Sequence, residues 1–443
     1  MEDSTFGNPS SNDALVERSS RKIESLKSSL SFRLGNLLVE SVLRPWKIII
    51  LPFSLVRLFW RFGQERIGMR AIESQQEINL PFESRNCAVL FPTNGVGMGH
   101  YARMFALAMA MKRRDPDIEI VFFTTNYVLH PLYAEGMTSY HLPNRQKFKG
   151  MGAKVWNSQC EEMLANIFSV HKPSIFVFDG SYPYRGMLNA IKSREGTKKA
   201  WIRRIVKRGK DSVPSDSFSH FDRIVVPGDM MEPDMEELAK WPVEEINLTS
   251  PILSVPRNDL HPRGLLRGKL GIPDNATLAL VSLGAGEIND IGNLRRFVTE
   301  YLVEKGVYVV IADSMLKPMS DSSFVSNEKI RIVQSFPIMR SRNCFDFAII
   351  AGGYNSVNEC ILLRLPSVII PNYETQRDDQ PMRAMKAAER GGAILVEEPD
   401  RGIISLALDR INDPGVRSQM AERLIVNVSD DGAESLAKSL LSD

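Results

Sequence analysis

The chain has 443 residues, 43% of them hydrophobic, and a formal charge of +2 at pH 7. That length exceeds one usual domain and the apolar content fills more than one core, while so small a charge gives no general reason to bind nucleic acid. Cys87, Cys160, Cys344 and Cys360 are widely spaced without a Cys-x-x-Cys pair, and no histidines stand at metal-ligand spacing. This pattern excludes a structural zinc, fits a reducing cytoplasmic setting, and leads us to expect no bound metal or cofactor.

In chain order, residues 1–30 are Ser-rich, charged and polar, carry no cleavable signal, and read as a disordered N-terminus. Residues 31–80 read as an amphipathic helical extension. Its centre, WKIIILPFSLVRLFW, is apolar and aromatic, is punctuated by Arg33, Arg44, Lys47, Arg57, Arg61 and Arg66, and is broken by Pro45 and Pro52. No stretch reaches about 18 apolar residues, the length a spanning helix needs. Trp and cations beside an apolar face over residues 34–62 suit a helix lying in a membrane interface. The alternative is an extra helix pair packed on the N-terminal domain.

From Cys87 the pattern alternates. CAVLFPT reads as a buried strand, YARMFALAMAMKRR as a helix and IEIVFFTT as a strand; a helix over Glu161–His171 leads to the strand SIFVFDG, and WIRRIV and RIVVPG follow. Buried apolar strands separated by helices imply a parallel sheet. This first domain is placed at 84–250. Asn247–Pro273 holds four prolines and reads as the interdomain connection. A second α/β domain, 257–430, opens with LALVSLGAG and continues with VYVVIAD, KIRIV, FDFAIIA, SVIIP and AILV. Helices over Ile403–Leu441 close the chain, with 431–443 as the C-terminal helix.

Two constellations carry chemistry. The first is GVGMGHYAR, Gly95 to Arg103. Its Gly97 and Gly99 form a phosphate or acceptor loop between strand and helix. No acidic ribose ligand follows the next strand, so it is not a dinucleotide fingerprint. His100 falls at a helix N-terminus on the carboxyl side of the sheet; the helix dipole keeps its imidazole neutral and able to act as a base, the alternative being a capping role. Asp179 ends SIFVFDG, faces the same cleft and is placed to orient His100; a turn or cap is its alternative. Tyr182, Tyr184 and Arg185 follow as acceptor contacts. Arg203 and Arg204 are candidates to meet an anionic acceptor, with a solvated or ion-paired role as the alternative. Asp115-Pro116-Asp117 reads as a turn rather than a metal site.

The second constellation is donor-binding. Ser282, Gly284 and Gly286 form a strand-end turn that points at the cleft. The run AGGYNSVNEC places Gly352 and Gly353 before a helix start bearing Asn355, Ser356 and Glu359. Bare amides there favour an anion, and paired glycines let a phosphate approach. Glu359 one turn in suits ribose hydroxyls. Asp379 and Gln380, one loop later, suit a hexose, while Asp378 reads as the cap of the following helix. The order is phosphate, ribose, hexose.

These residues resemble the donor half of the GT-B glycosyltransferases, both the UDP-glycosyltransferases and the lipid-linked N-acetylglucosaminyltransferase of peptidoglycan synthesis. They are also similar to bacterial glycosyltransferases bearing GVGxGHxxR, GAGxIND and ETxxDDQ, here from Gly95, Gly284 and Glu374. The position three before Tyr354, often His in the plant enzymes, is Ala351. The resemblance implies two Rossmann-like domains with a cleft between them, a last helix that crosses back to the first domain, and uracil held near Phe336–Met339. It implies transfer of a hexose from a nucleotide sugar, with a UDP-sugar expected, to a saccharide or lipid-linked hydroxyl, inverting and without metal. The enzyme would sit on the inner membrane face. A nucleotide-sugar hydrolase or epimerase on the same fold, and a non-catalytic nucleotide-sugar-binding scaffold, are the alternatives.

Overall fold

The computed structural model describes residues 23, 26–67, 84–93, 97–192, 194–206, 213–284, 291–316, 327–375, 378–424 and 431–442. Gly95 and Gly286 lie outside them.

Two all-parallel sheets form the body. The first contains β1 (Arg85–Pro92), β2 (Glu119–Thr124), β3 (Thr138–His141), β4 (Pro173–Asp179), β5 (Lys198–Ile202), β6 (Arg223–Pro227) and β7 (Ile246–Thr249), in the order β3-β2-β1-β4-β5-β6-β7. The second contains β8 (Leu278–Ser282), β9 (Tyr308–Ala312), β10 (Ile330–Val333), β11 (Phe347–Ile350), β12 (Ser367–Ile369) and β13 (Ala393–Leu395), in the order β10-β9-β8-β11-β12-β13.

The unbroken apolar strands follow from this layering. A parallel sheet carries helices on both faces, so both sides of each strand are buried. In β1, Val89 and Phe91 point into one core with Phe123, Phe178 and Trp201, while Ala88 and Leu90 point into the other with Phe122 and Val177. That period of two is the strand's own. The second core also contains Ala433, Leu436, Ala437 and Leu440 from the helix Gly432–Leu441. The last helix thus packs on the first domain, against the helix Gly99–Arg114.

Three readings change. WIRRIV is strand only to Ile202; Arg203 leaves the sheet and inserts, 1% exposed, among the rings of Trp201, Phe218 and Trp241. The connection does not start at Asn247, because Ile246–Thr249 pairs as edge strand β7. Pro45 does separate two helices, Leu30–Leu43 and Lys47–Ile67, but Pro52 lies inside the second. These helices pack on each other, with Leu51, Leu55 and Leu58 partly buried, and leave a broad apolar face bare, including Ile49 and Phe53 at 84% and 83% exposure. Among the described residues no helix is long and apolar enough to cross a membrane.

Candidate functional site

In each sheet the strand order reverses between two neighbours, β1 and β4 in the first, β8 and β11 in the second. The loops leaving the carboxyl ends of such neighbours diverge and open a crevice. His100 follows β1, and Asp179 is the last residue of β4. Gly284 follows β8, and Gly352 and Gly353 follow β11. The two crevices meet, because Asn355 Nδ2 lies 3.4 Å from the Gly99 carbonyl oxygen.

His100 Nδ1 is 2.8 Å from Asp179 Oδ1. A carboxylate only accepts and a guanidinium only donates, and Arg103 Nη2 lies equally close to Nδ1 at 2.8 Å; because Arg103 already donates to both Asp179 oxygens, we assign the proton to Nδ1 and the lone pair to Nε2. Burial lowers the imidazole pKa from its ordinary value; Asp179 pulls it back up, and the charges of Arg103 and Arg204 add to the lowering. Burial by itself would raise Asp179, but Arg103 and His100 outweigh it and hold the carboxyl below its usual range. Around this pair Tyr182 is exposed, and Arg185 forms an ion pair with Asp216 at 2.6 Å. Tyr184 packs against Phe91 and Trp156.

The helices Gly99–Arg114 and Tyr354–Leu362 begin at Met98 and Gly353 without a side-chain cap. Asp379, Asp400, Asp413 and Asp431 do cap theirs. The first-turn amides at the crevice are thus left for another acceptor. Asn355 Oδ1 is buried there with no hydrogen-bond partner among the described residues. Ser356 is half-buried one position on. Gly284 sits at φ +90°, a conformation that favours glycine. A Cβ on Gly352 would stand 2.8 Å from the backbone oxygen of Gln380, so glycine here permits the close approach of the two donor loops.

Glu359 is 6% exposed, and its Oε1 accepts the Ser254 amide at 3.1 Å. Burial pushes its pKa up to about 6. Gln380 Oε1 accepts the Asn372 amide at 3.1 Å. The cap of the helix Gln380–Glu389 is Asp379, whose Oδ1 accepts from Met382, and not Asp378. Asp378 instead pairs with Arg204 at 3.2 Å and Arg383 at 2.8 Å; these arginines overcome burial and hold it at about 2. Arg204 is thus ion-paired. Phe336, expected near the base, also packs edge-on to Tyr101 and Phe105 of the first domain at 5.3 Å.

Sequence reading missed a seam of charge between the domains. Arg383, buried, bonds Asp229 at 2.8 and 2.9 Å and the Gly352 carbonyl at 2.8 Å. The Tyr354 hydroxyl donates to the Gly228 carbonyl, and its ring is flanked by Arg103, Arg204 and Arg383 at 5.1, 5.1 and 5.9 Å. The available signal was Arg103 itself: a charge amid the buried run Tyr101–Ala108 demands a buried carboxylate.

Away from the crevice, Asp115 and Asp117 form a turn with an internal hydrogen bond of 3.1 Å. Cys87, Glu119 and His171 also come together, at the amino end of the first sheet, through the register Cys87↔Glu119. There His171 bonds Glu119 at 2.7 Å and Tyr140 at 2.8 Å.

No protein-family model matches the chain. It is 22% identical over 381 residues, 80% of this chain and 96% of the relative, to a protein of Salinibacter ruber. That relative is named UDP-N-acetylglucosamine--N-acetylmuramyl-(pentapeptide) pyrophosphoryl-undecaprenol N-acetylglucosamine transferase. A relative of the same name from Acetivibrio thermocellus is 25% identical over 69% of this chain and 83% of its own length. Among solved structures, Os79 of O. sativa superposes with a TM-score of 0.56 at 14% identity, covering 80% of this chain and all (100%) of that one. The calicheamicin glycosyltransferase CalG4 gives 0.53 at 15% identity, covering 81% and 98%. The chain is a glycosyltransferase of GT-B fold, resembling the lipid-linked N-acetylglucosaminyltransferases and the UDP-glycosyltransferases.

Proposed function

We propose that the chain transfers a hexose from a UDP-sugar to a hydroxyl of a lipid-linked or polysaccharide acceptor, with inversion and without an obligatory metal. The observation that carries the reading is the His100–Asp179 pair at one switch point facing the uncapped helix of Tyr354–Leu362 at the other. A base and an anion-binding helix start on opposite walls of one crevice are what a single in-line displacement requires.

In this reading His100 Nε2 removes the acceptor proton while Asp179 holds the ring and stabilises the imidazolium. The acceptor oxygen attacks the anomeric carbon from the face opposite the diphosphate. The leaving diphosphate lies against the amides of the Gly353–Ser356 turn and the loop at Gly284. Glu359, one oxygen held by Ser254, offers the other to the ribose; Asp379 and Gln380 face the hexose. Gly97, Gly99, Tyr182 and Arg185 line the acceptor side. The lipid-linked acceptor is supported by the names of the relatives and by the bare apolar helix pair Leu30–Ile67, which suits a membrane surface.

The test is a thermal-shift screen of nucleotide sugars, followed by product mass with saccharide and polyprenyl-linked acceptors. A site-specific donor at 100 times its Kd adds about 2.7 kcal/mol of stability. A UDP-sugar should stabilise the protein, and an acceptor should gain one hexose. Release of free hexose with the acceptor unchanged points to a hydrolase. Donor binding without turnover points to a scaffold.

A further inference from the structure

Arg103 stands one helical turn beyond His100 and is 2% exposed. Its Nε donates to Asp179 Oδ2 at 2.9 Å and its Nη2 to Asp179 Oδ1 at 2.8 Å, a two-pronged fork on one carboxylate. The same Nη2 is 2.8 Å from His100 Nδ1. Both Asp179 oxygens are therefore fixed by the guanidinium, and Oδ1 is shared with the imidazole. Arg103 also lies over the ring of Tyr354, the first residue of the donor-side helix, at 5.1 Å.

Resting on the reading of His100 as the base, we infer that Arg103 is a positioning residue for the transfer. It locks Asp179 in the one orientation that holds His100, and it neutralises part of the carboxylate charge so that the imidazole stays unprotonated near neutral pH. A free aspartate beside a histidine stabilises imidazolium, and a histidine already protonated cannot accept the acceptor's proton. A fork-bound aspartate orients the ring without that penalty. Among the described residues the charged groups acting on the imidazole are Asp179 from β4, Arg103 from its own helix and Arg204 from the segment after β5. Arg204 is itself balanced by Asp378. Arg103 is the cation bonded to the same carboxylate.

The test is an NMR titration of His100 in full-length protein labelled at histidine, for the wild type, Arg103→Gln and Arg103→Lys, beside kcat against pH. In Arg103→Gln the His100 midpoint should rise by about one pH unit, which is about tenfold in proton affinity. The acid limb of kcat should move with it, while KM for the donor stays within about twofold. Arg103→Lys keeps the charge but lacks the fork; its midpoint should stay near wild type while kcat falls. An unmoved midpoint in folded Arg103→Gln overturns the inference. If that variant does not fold, the wild-type nitrogen shifts decide: a proton on Nδ1 supports the assignment, and a proton on Nε2, with Nδ1 accepting from Arg103, defeats it. The titration needs no turnover, so a protein inactive on every donor would defeat the transferase reading while this one is still decided.

Discussion

The Asn355 side-chain amide reaches to 3.4 Å of the Gly99 carbonyl oxygen, which joins the first turn of the donor-side helix to the first turn of the helix carrying His100. The two helix starts thus share one small volume. A group bound on one is within reach of the other, and substitutions on either wall should separate cleanly into chemistry and binding.

His100→Ala should lower turnover by about 10²- to 10⁴-fold, with donor affinity nearly intact. Asp179→Asn should also lower turnover, because it loses the charge that fixes the tautomer. Single-turnover rates set beside donor titrations check this. Wild-type turnover in His100→Ala would remove His100 from the mechanism.

Glu359→Ala should weaken free nucleotide and nucleotide sugar alike, and Gln380→Ala only the sugar-bearing donor. A lost charged hydrogen bond costs roughly 1.5–3 kcal/mol, about 10- to 150-fold in affinity. Calorimetric titration with UDP and a UDP-sugar reads the difference. Equal losses for both ligands in Gln380→Ala would rule out a hexose contact.

EDTA should leave activity largely in place. The acids of the donor loop are engaged: Asp378 with Arg204 and Arg383, Asp379 with the Met382 amide. Complete loss restored by Mn²⁺ or Mg²⁺ would show that a cation carries the diphosphate charge.

The Leu30–Ile67 helix pair should bind anionic vesicles and release them in high salt. Arg33, Arg44, Lys47, Arg57 and Arg61 accompany Glu40, which is paired to Lys47, and each cation near such a surface contributes on the order of 1 kcal/mol. Ile49→Glu with Phe53→Glu, or a chain beginning at residue 79, should stay in the supernatant on co-sedimentation. If these partition as wild type does, the pair is not a lipid contact.

Glu359 titrates at about 6 in the folded chain against 4.5 as the ordinary value. A raised folded pKa contributes stability that is full below 4.5 and is lost as pH rises through 6. The loss is about 2 kcal/mol. Asp378, held at about 2, acts in the opposite sense: its stability is present above the ordinary carboxylate range and lost as pH falls toward 2. Urea unfolding between pH 4.5 and 7.5 should show the first slope in wild type and a shallower one in Glu359→Gln. Identical slopes would remove Glu359 as its source.

The strands that line the site were legible because burial on both faces makes them unbroken apolar runs. β3 and β7 were not. TSYH and INLT are short, part-polar edge strands whose pairing depends on a neighbour rather than on their own pattern. The glycines, His100 and the donor residues announced themselves as turns followed by helix starts. What the side chains do at 3 Å was not legible. The cap expected of Asp378 is made by Asp379, because either acid can cap and only the pairing of Asp378 with Arg204 and Arg383 decides which one does. Strand order, which brings His100 to Asp179 across 79 positions, is likewise a long-range property.

The helix Gly432–Leu441 supplies Ala433, Leu436, Ala437 and Leu440 to a core whose other fully buried members all precede residue 253. During synthesis the first sheet must therefore wait. About 320 residues separate the helix Gly99–Arg114 from its last packing partner, which at roughly 5–20 residues per second is on the order of 16–64 s. For that interval the helix Gly99–Arg114 stands without this packing partner, and the wall that carries His100 reaches its full packing only after the second sheet has been made.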